Sequence, residues 1–346
     1  MDHRERFYRT IDRQPVDRPA TWIGEPVQAA IPGLLRHFGV ETFDALKKKI
    51  DDDVYHVNIP YHSPTSNHVA AAFSFAKKSG PDQNYEERTL TAPGFFEDYE
   101  DPAGVGVFDW PDPEKYIDPE KCRAAVEAVP EDAIAMALAW SCHFQDACSA
   151  FGMETALMKM IAEPEMFSAV IDRITQFYLK ANAIFYEATK GRLHAVLIGN
   201  DFGSQQCLML SPKLIRKLVF PGTKLLIDQA HAYGLKVVHH SCGSVYDIIA
   251  DLIDLGADAV HPIQALAHNM DAERLKRDFG DRMSFCGGVD AQRLLVQGTP
   301  DEVATEVRRL AGLFPTGLII SPSHEATLPD MPPANIEAIF TTVHSL

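Results

Sequence analysis

"SPKLIRKLVFPGTKLLIDQAHAYGLKVVHHSCGSVYDIIADLIDLGADAVHPIQ", residues 211–264, passes twice from a helical pattern into a short apolar strand pattern. Ser211 and Pro212 open the first amphipathic segment and Gly234 closes it, the usual marks of a helix start and stop. "KVVHHSC" (Lys236 to Cys242) follows as a strand, "SVYDIIADLIDLG" is a second helix ended by Gly256, and "DAVHPIQ" (Asp258 to Gln264) is the next strand. Alternation of this kind is the signature of parallel βαβ units.

The pattern extends in both directions. "AVLIGND" (Ala195 to Asp201) precedes it; "MSFCGGVD" (Met283 to Asp290) and "GLIISPSH" (Gly317 to His324) follow, the last after "TPDEVATEVRRLAGLF", opened by Thr299 and Pro300. Upstream, "RPATWIGE" (Arg18 to Glu25), "VYHVNIP" (Val54 to Pro60) and "AIAMALAW" (Ala133 to Trp140) bring the strands to eight. Eight βα units predict an α/β TIM barrel forming a single domain over residues 1–346. No GxGxxG turn opens a helix, so a doubly wound dinucleotide-binding sheet has little support. Residues 61–129 break the rhythm with "KKSGPDQNYEER" and "DWPDPEKYIDPEK", and predict an inserted excursion after the second strand, a hairpin or lid.

Composition narrows the function. Hydrophobic residues are 46% and charged residues 23% of the chain, values of an ordinary folded domain. A net charge of −16 repels nucleic-acid backbones and anionic membranes, so neither is expected as a partner. The charged N-terminus and the lack of a long apolar run predict a soluble, cytoplasmic protein. Six scattered cysteines fit reduced intracellular thiols, not a disulfide framework.

Side chains alternate along a strand, so His240 and Cys242 share a face while His239 points the other way and is expected to pack beneath the covering helices. The pair sits at the C-terminal end of its strand, the barrel face that carries active sites. Imidazole and thiolate two residues apart suit zinc, which keeps an open position in catalytic sites. A third ligand at the same level is His324, with Cys286 as its rival. Asp201, Asp290, Glu25, and Asp52 and Asp53 beside the second strand, are acids expected on the same face, where a carboxylate can orient a ligand or move a proton.

Taken together, "RERFYRTIDRQPVDRPATW", residues 211–245, "FCGGVDAQRLLVQGTPDEV" and "SPSHEATLPDMPPANIEAI" resemble the uroporphyrinogen decarboxylase superfamily over nearly the whole chain. That superfamily is a TIM-barrel group which also holds zinc-dependent, corrinoid-linked methyltransferases. True decarboxylases carry an arginine-rich stretch reading roughly RQAGRY; here the corresponding "ATWIGEPVQAAIPG" has no arginine. The methyltransferase branch carries a His-x-Cys pair, matched by His240 and Cys242, and a distant cysteine, in whose place His324 stands as in the decarboxylases.

The resemblance therefore implies methyl transfer with a zinc held by His240, Cys242 and His324, a small methylated donor or a corrinoid on a partner protein, and a thiol or other small acceptor. Asp201, Asp290 and Gln205 would surround the substrate, with Trp140, Gln264 and Glu25 as further substrate-binding candidates at strand ends, and Asp201 the first choice for an acid or base. It also implies a monomer or homodimer. The alternative is a metal-free decarboxylase acting on a carboxylated pyrrole or other small acid, in which His240, Asp201 and His324 handle protons. A non-catalytic barrel is a third reading.

Overall fold

The computed structural model describes residues 1–75 and 92–346. Eight strands form one sheet: β1 (Ala20–Thr21), β2 (Val54–Asn58), β3 (Ile134–Trp140), β4 (Ala195–Gly199), β5 (Lys236–His240), β6 (Ala259–Ile263), β7 (Ser284–Val289) and β8 (Leu318–Pro322). They run in the order β1-β8-β7-β6-β5-β4-β3-β2, every neighbouring pair parallel, with helices between them. This is the expected TIM barrel, and each strand lies within the stretch its sequence predicts.

Two apolar layers follow from strand alternation. Val54, Met136, Leu197, Val238 and Ile319 fill the barrel interior, where Phe7 of the helix His3–Ile11 plugs the N-terminal end. The opposite face of each strand packs against the helices in a larger core. Helix ends obey local chemistry: the Ser211 hydroxyl accepts from the Leu214 amide, and Thr299 with Glu302 forms a capping box on the helix Pro300–Leu313.

Two expectations need correction. The segment opened by Ser211 is two helices, Pro212–Leu218 and Phe220–Ala232, because Pro221 inside a continuous helix would remove a backbone hydrogen bond and clash with the preceding turn. Asp52 and Asp53 precede β2 and so lie at the opposite end of the barrel from the strand C-termini. There Asp53 Oδ2 accepts from the Thr21 amide and Asp52 Oδ2 from the Ile23 amide, bridging the seam between the edge strands β1 and β2.

The expected excursion lies between β2 and β3. Its end includes the helix Pro119–Glu127, an ordinary barrel helix packed on β2, and "KKSGPDQNYEER" lies outside the described residues. The rest carries 3-10 turns at Val69–Ala71 and Pro102–Val107, and antiparallel bridges pair Pro60 with His68 and Tyr61 with Ile117. Phe75, Phe96, Phe108 and Trp110 pack ring against ring, stacked between Phe96 and Trp110 and edge-to-face between Phe108 and Trp110, and join the helix-side core, which makes this segment part of the packed body. Among the described residues no helix is long and apolar enough to cross a membrane.

Candidate metal centre

The C-terminal ends of β4, β5, β6 and β8 converge on Cys242. Its Sγ lies 3.5 Å from His240 Nε2, and its backbone N–H donates to Asp201 Oδ1 at 2.9 Å. The same Asp201 oxygen is 3.2 Å from His240 Nε2. Gly243 turns the chain after Cys242 with φ 83°, and a Cβ there would come 2.3 Å from the Gly203 carbonyl oxygen. Only glycine lets the β5 loop lie against the β4 loop, and the Gln264 side chain fixes it by accepting from the Gly243 amide at 2.6 Å.

Among the described residues, three overlapping groups bring ligand atoms within 4.8 Å of one another: Asp201, His240 and Cys242; Cys242, His324 and Glu325; and His240, His261 and Glu325. Cys242 thus links the two expected histidines, each through its own set. The donor chemistry, imidazole nitrogen, thiolate sulfur and carboxylate oxygen, is that of zinc sites. One buried atom supports the fit: among the described residues Glu325 Oε2 accepts no hydrogen bond, and its nearest charged neighbours, His324 Nδ1 at 3.5 Å and His240 Nδ1 at 3.8 Å, are themselves candidate ligands, so a metal ion held by those rings would complete a carboxylate that is costly to bury without a donor.

Charges reinforce each other here. Burial works against a charged His240 ring, yet hydrogen bonds to Asp201 and Cys242 and the nearby Glu325 charge hold it well above the usual histidine value. Burial raises the Cys242 thiol, but hydrogen bonds to His240 and His324 outweigh this and bring it below its ordinary value, toward the nucleophilic thiolate. His324 is raised, chiefly by its hydrogen bond to Cys242. Asp201, despite partial burial, is held at about 2 by His240 and the Cys242 amide. At neutral pH it is a hydrogen-bond acceptor and electrostatic partner, poorly suited to donate a proton.

The other expected residues divide. Trp140 packs its ring edge-to-face on His240 at 5.2 Å, and Gln264 positions the β5 loop. Glu25 reaches the mouth, where Asn58 Nδ2 donates to it at 3.0 Å. Gln205 is exposed on the β4 loop, and its backbone carbonyl accepts from the His268 amide. Asp290 stands at the end of β7 as expected, but its oxygens accept from the amides of Gln292, Arg293 and Leu294, which makes it a cap for the following turn. Cys286 is buried in the barrel interior and belongs to none of the three groups.

His239 is buried on the helix side as expected and stacks with Phe202 at 6.3 Å, but among the described residues neither ring nitrogen has a hydrogen-bond partner. Burial depresses it to about 3. Two neighbours of the site escaped the sequence reading. His261 is paired in register with His240 across β5 and β6, and its Nδ1 lies 2.9 Å from His240 Nδ1. The alternation that singles out His240 applies equally to His261 one strand on. Glu325 directly follows His324, and adjacency was its only signal.

The chain matches the model of the family described as uroporphyrinogen decarboxylase (URO-D) over residues 109–346. No curated protein sequence matches it. Among solved structures it is similar to a methyltransferase from Methanosarcina mazei, with a TM-score of 0.70 and 16% sequence identity over 100% of this chain and 99% of that one. At such identity the likeness speaks for the fold. The family match spans most of the chain and includes the strand ends that build the Cys242 cluster, and the chain belongs to the uroporphyrinogen decarboxylase family.

Proposed function

We propose that this chain is a zinc-dependent methyltransferase, moving a methyl group from a small methylated donor or a corrinoid carried by a partner protein to a thiol or other small acceptor. The observation that carries this reading is the contact of Cys242 with His240 on one side and with the His324 and Glu325 set on the other, at the mouth of the barrel. The methyltransferase name of the M. mazei structure agrees with it.

His240, Cys242 and His324 would hold the metal. Zinc supplies Lewis acidity, which favours the ionised form of a sulfur or oxygen acceptor at neutral pH. The chain's own residues prepare that site. His261 Nδ1 contacts the far side of the His240 ring and sets its orientation. Asp201 fixes the Cys242 peptide, Gln264 fixes the next one, and Trp140 walls the ring of His240. Methyl transfer breaks the bond between donor and methyl carbon, with the electron pair left on the donor, and forms the bond to the acceptor.

The test is methyl transfer from methylcobalamin, free or bound to a corrinoid protein, to a panel of small thiols, with and without Cys242→Ala. Turnover lost in the variant supports the reading. The direct His240 and Asp201 contact favours metal-free decarboxylation as the second reading. Loss of carboxyl from uroporphyrinogen or a simpler pyrrole acid by metal-stripped protein would establish it in place of the first.

A further inference from the structure

Glu325 differs from every other acid at the mouth. Its side chain is 15% exposed, against 44% for Asp201. Asp201 already accepts from the Cys242 amide and contacts His240, and Asp290 is taken up by three amides. Glu325 Oε2 is buried and, among the described residues, accepts no hydrogen bond, while His324 Nδ1 at 3.5 Å and His240 Nδ1 at 3.8 Å flank it at ion-pair distance. It belongs to two of the three ligand groups, one of them with Cys242 and His324.

Its backbone is fixed from the other side of the seam. The Glu25 amide donates to the Glu325 carbonyl at 2.7 Å, and Gly24, with φ 83°, leaves room for that carbonyl; a Cβ on Gly24 would stand 2.2 Å from it. A conformation that only glycine adopts easily is thus spent on holding β1 against this one peptide. His324, by contrast, is 41% exposed and already has Nδ1 engaged by the Ala326 amide.

We propose that Glu325 is a protein ligand of the zinc, joining Cys242 and His324 through its buried carboxylate oxygen, and that Gly24 is the residue that positions it. The proposal rests on the zinc reading above. A carboxylate ligand changes what the centre is: with one thiolate and one carboxylate, the two protein charges balance Zn2+, where a thiolate with neutral histidines leaves a net positive charge. A neutral centre does not draw anionic substrates by charge alone, which agrees with the arginine-free stretch from Ala20 to Gly33.

The test measures zinc affinity by chelator competition and the visible spectrum of the Co2+-substituted full-length protein for wild type, Glu325→Gln, Glu325→Ala and Gly24→Ala, each checked for folding by circular dichroism. Glu325→Gln keeps the size of the side chain and guards against a folding defect. Loss of affinity by about 100-fold or more in Glu325→Gln, with a changed Co2+ spectrum, and a loss of about 10-fold in Gly24→Ala, support the assignment. Affinity within about threefold of wild type and an unchanged spectrum in Glu325→Gln overturn it while the zinc reading stands. Wild type that takes up no zinc overturns the zinc reading and the assignment together.

Discussion

Removing the charge of Asp53 tests how this barrel is closed. Asp53 is fully buried and accepts from Arg6 Nη1 at 2.6 Å, Arg18 Nη1 at 2.7 Å and the Thr21 amide at 2.8 Å, and it contacts His3 Nδ1 at 2.7 Å. Breaking one partner of a buried ion pair costs about 3–5 kcal/mol. Arg6 keeps Asp17 and Arg18 keeps Asp51, so Asp53→Asn falls at the lower end, about 3 kcal/mol. An unfolding entropy near 2.1 cal/mol/K per residue over 346 residues amounts to about 0.7 kcal/mol/K, so Tm drops by about 4 °C.

Urea denaturation at pH 7 reads this loss, with Asp17→Asn as the control. Asp17 is 41% exposed, and its pairing is worth under about 1 kcal/mol. The pH dependence has a fixed sign. Burial alone would raise the Asp53 carboxyl, but His3, Arg18 and Arg6 together hold it below its ordinary value. Its stabilisation is present above the unfolded value of about 4 and disappears as pH falls through the folded one. Wild type and Asp53→Asn therefore differ at pH 7 and converge in acid. A difference under about 1 kcal/mol at pH 7, or one that persists unchanged at pH 2, would refute the view that side-chain carboxylates close the β1 and β2 seam.

Two other changes separate packing from site chemistry. His239→Leu removes two buried ring nitrogens that lack partners and keeps an apolar contact with Phe202, so it should stabilise the fold by about 1–3 kcal/mol and leave zinc content unchanged; a destabilised variant or one that loses metal would contradict this. Gln264→Leu leaves the Gly243 amide without its acceptor and loosens the loop that carries Cys242. Zinc affinity should fall about 10-fold to 100-fold with little change in far-ultraviolet circular dichroism, and chelator competition that finds wild-type affinity would remove Gln264 from the supporting shell.

The barrel was legible because its signals are local and repeated. Apolar runs of four to eight residues, helix caps such as Thr299 with Glu302, and glycine stops such as Gly256 occur in the same order as the elements they form. Strand alternation was enough to separate His240 and Cys242 from His239. What escaped depends on distances along no single strand. Residue type alone groups Asp52 and Asp53 with the mouth acids, whereas a residue preceding a strand lies at the other end of the barrel. Asp290 looked like a site acid until three backbone amides claimed it. His261 becomes a site residue through the register that pairs it with His240 across β5 and β6, and Glu325 only when the barrel brings the end of β8 round to the end of β5. Composition marks the insert, whose prolines and charges break the βα rhythm after β2, but gives no sign of its packing: Phe75 and Phe96 are buried against the body, with Phe108 and Trp110 packed on that core.

Metal content decides most directly what the Cys242 cluster does. Protein purified without a histidine tag should carry close to one zinc per chain, or take it up when zinc is added, and Cys242→Ala should lose it while staying folded. Wild-type protein that holds no zinc, and acquires none at neutral pH, would contradict the assignment of this family member as a zinc enzyme.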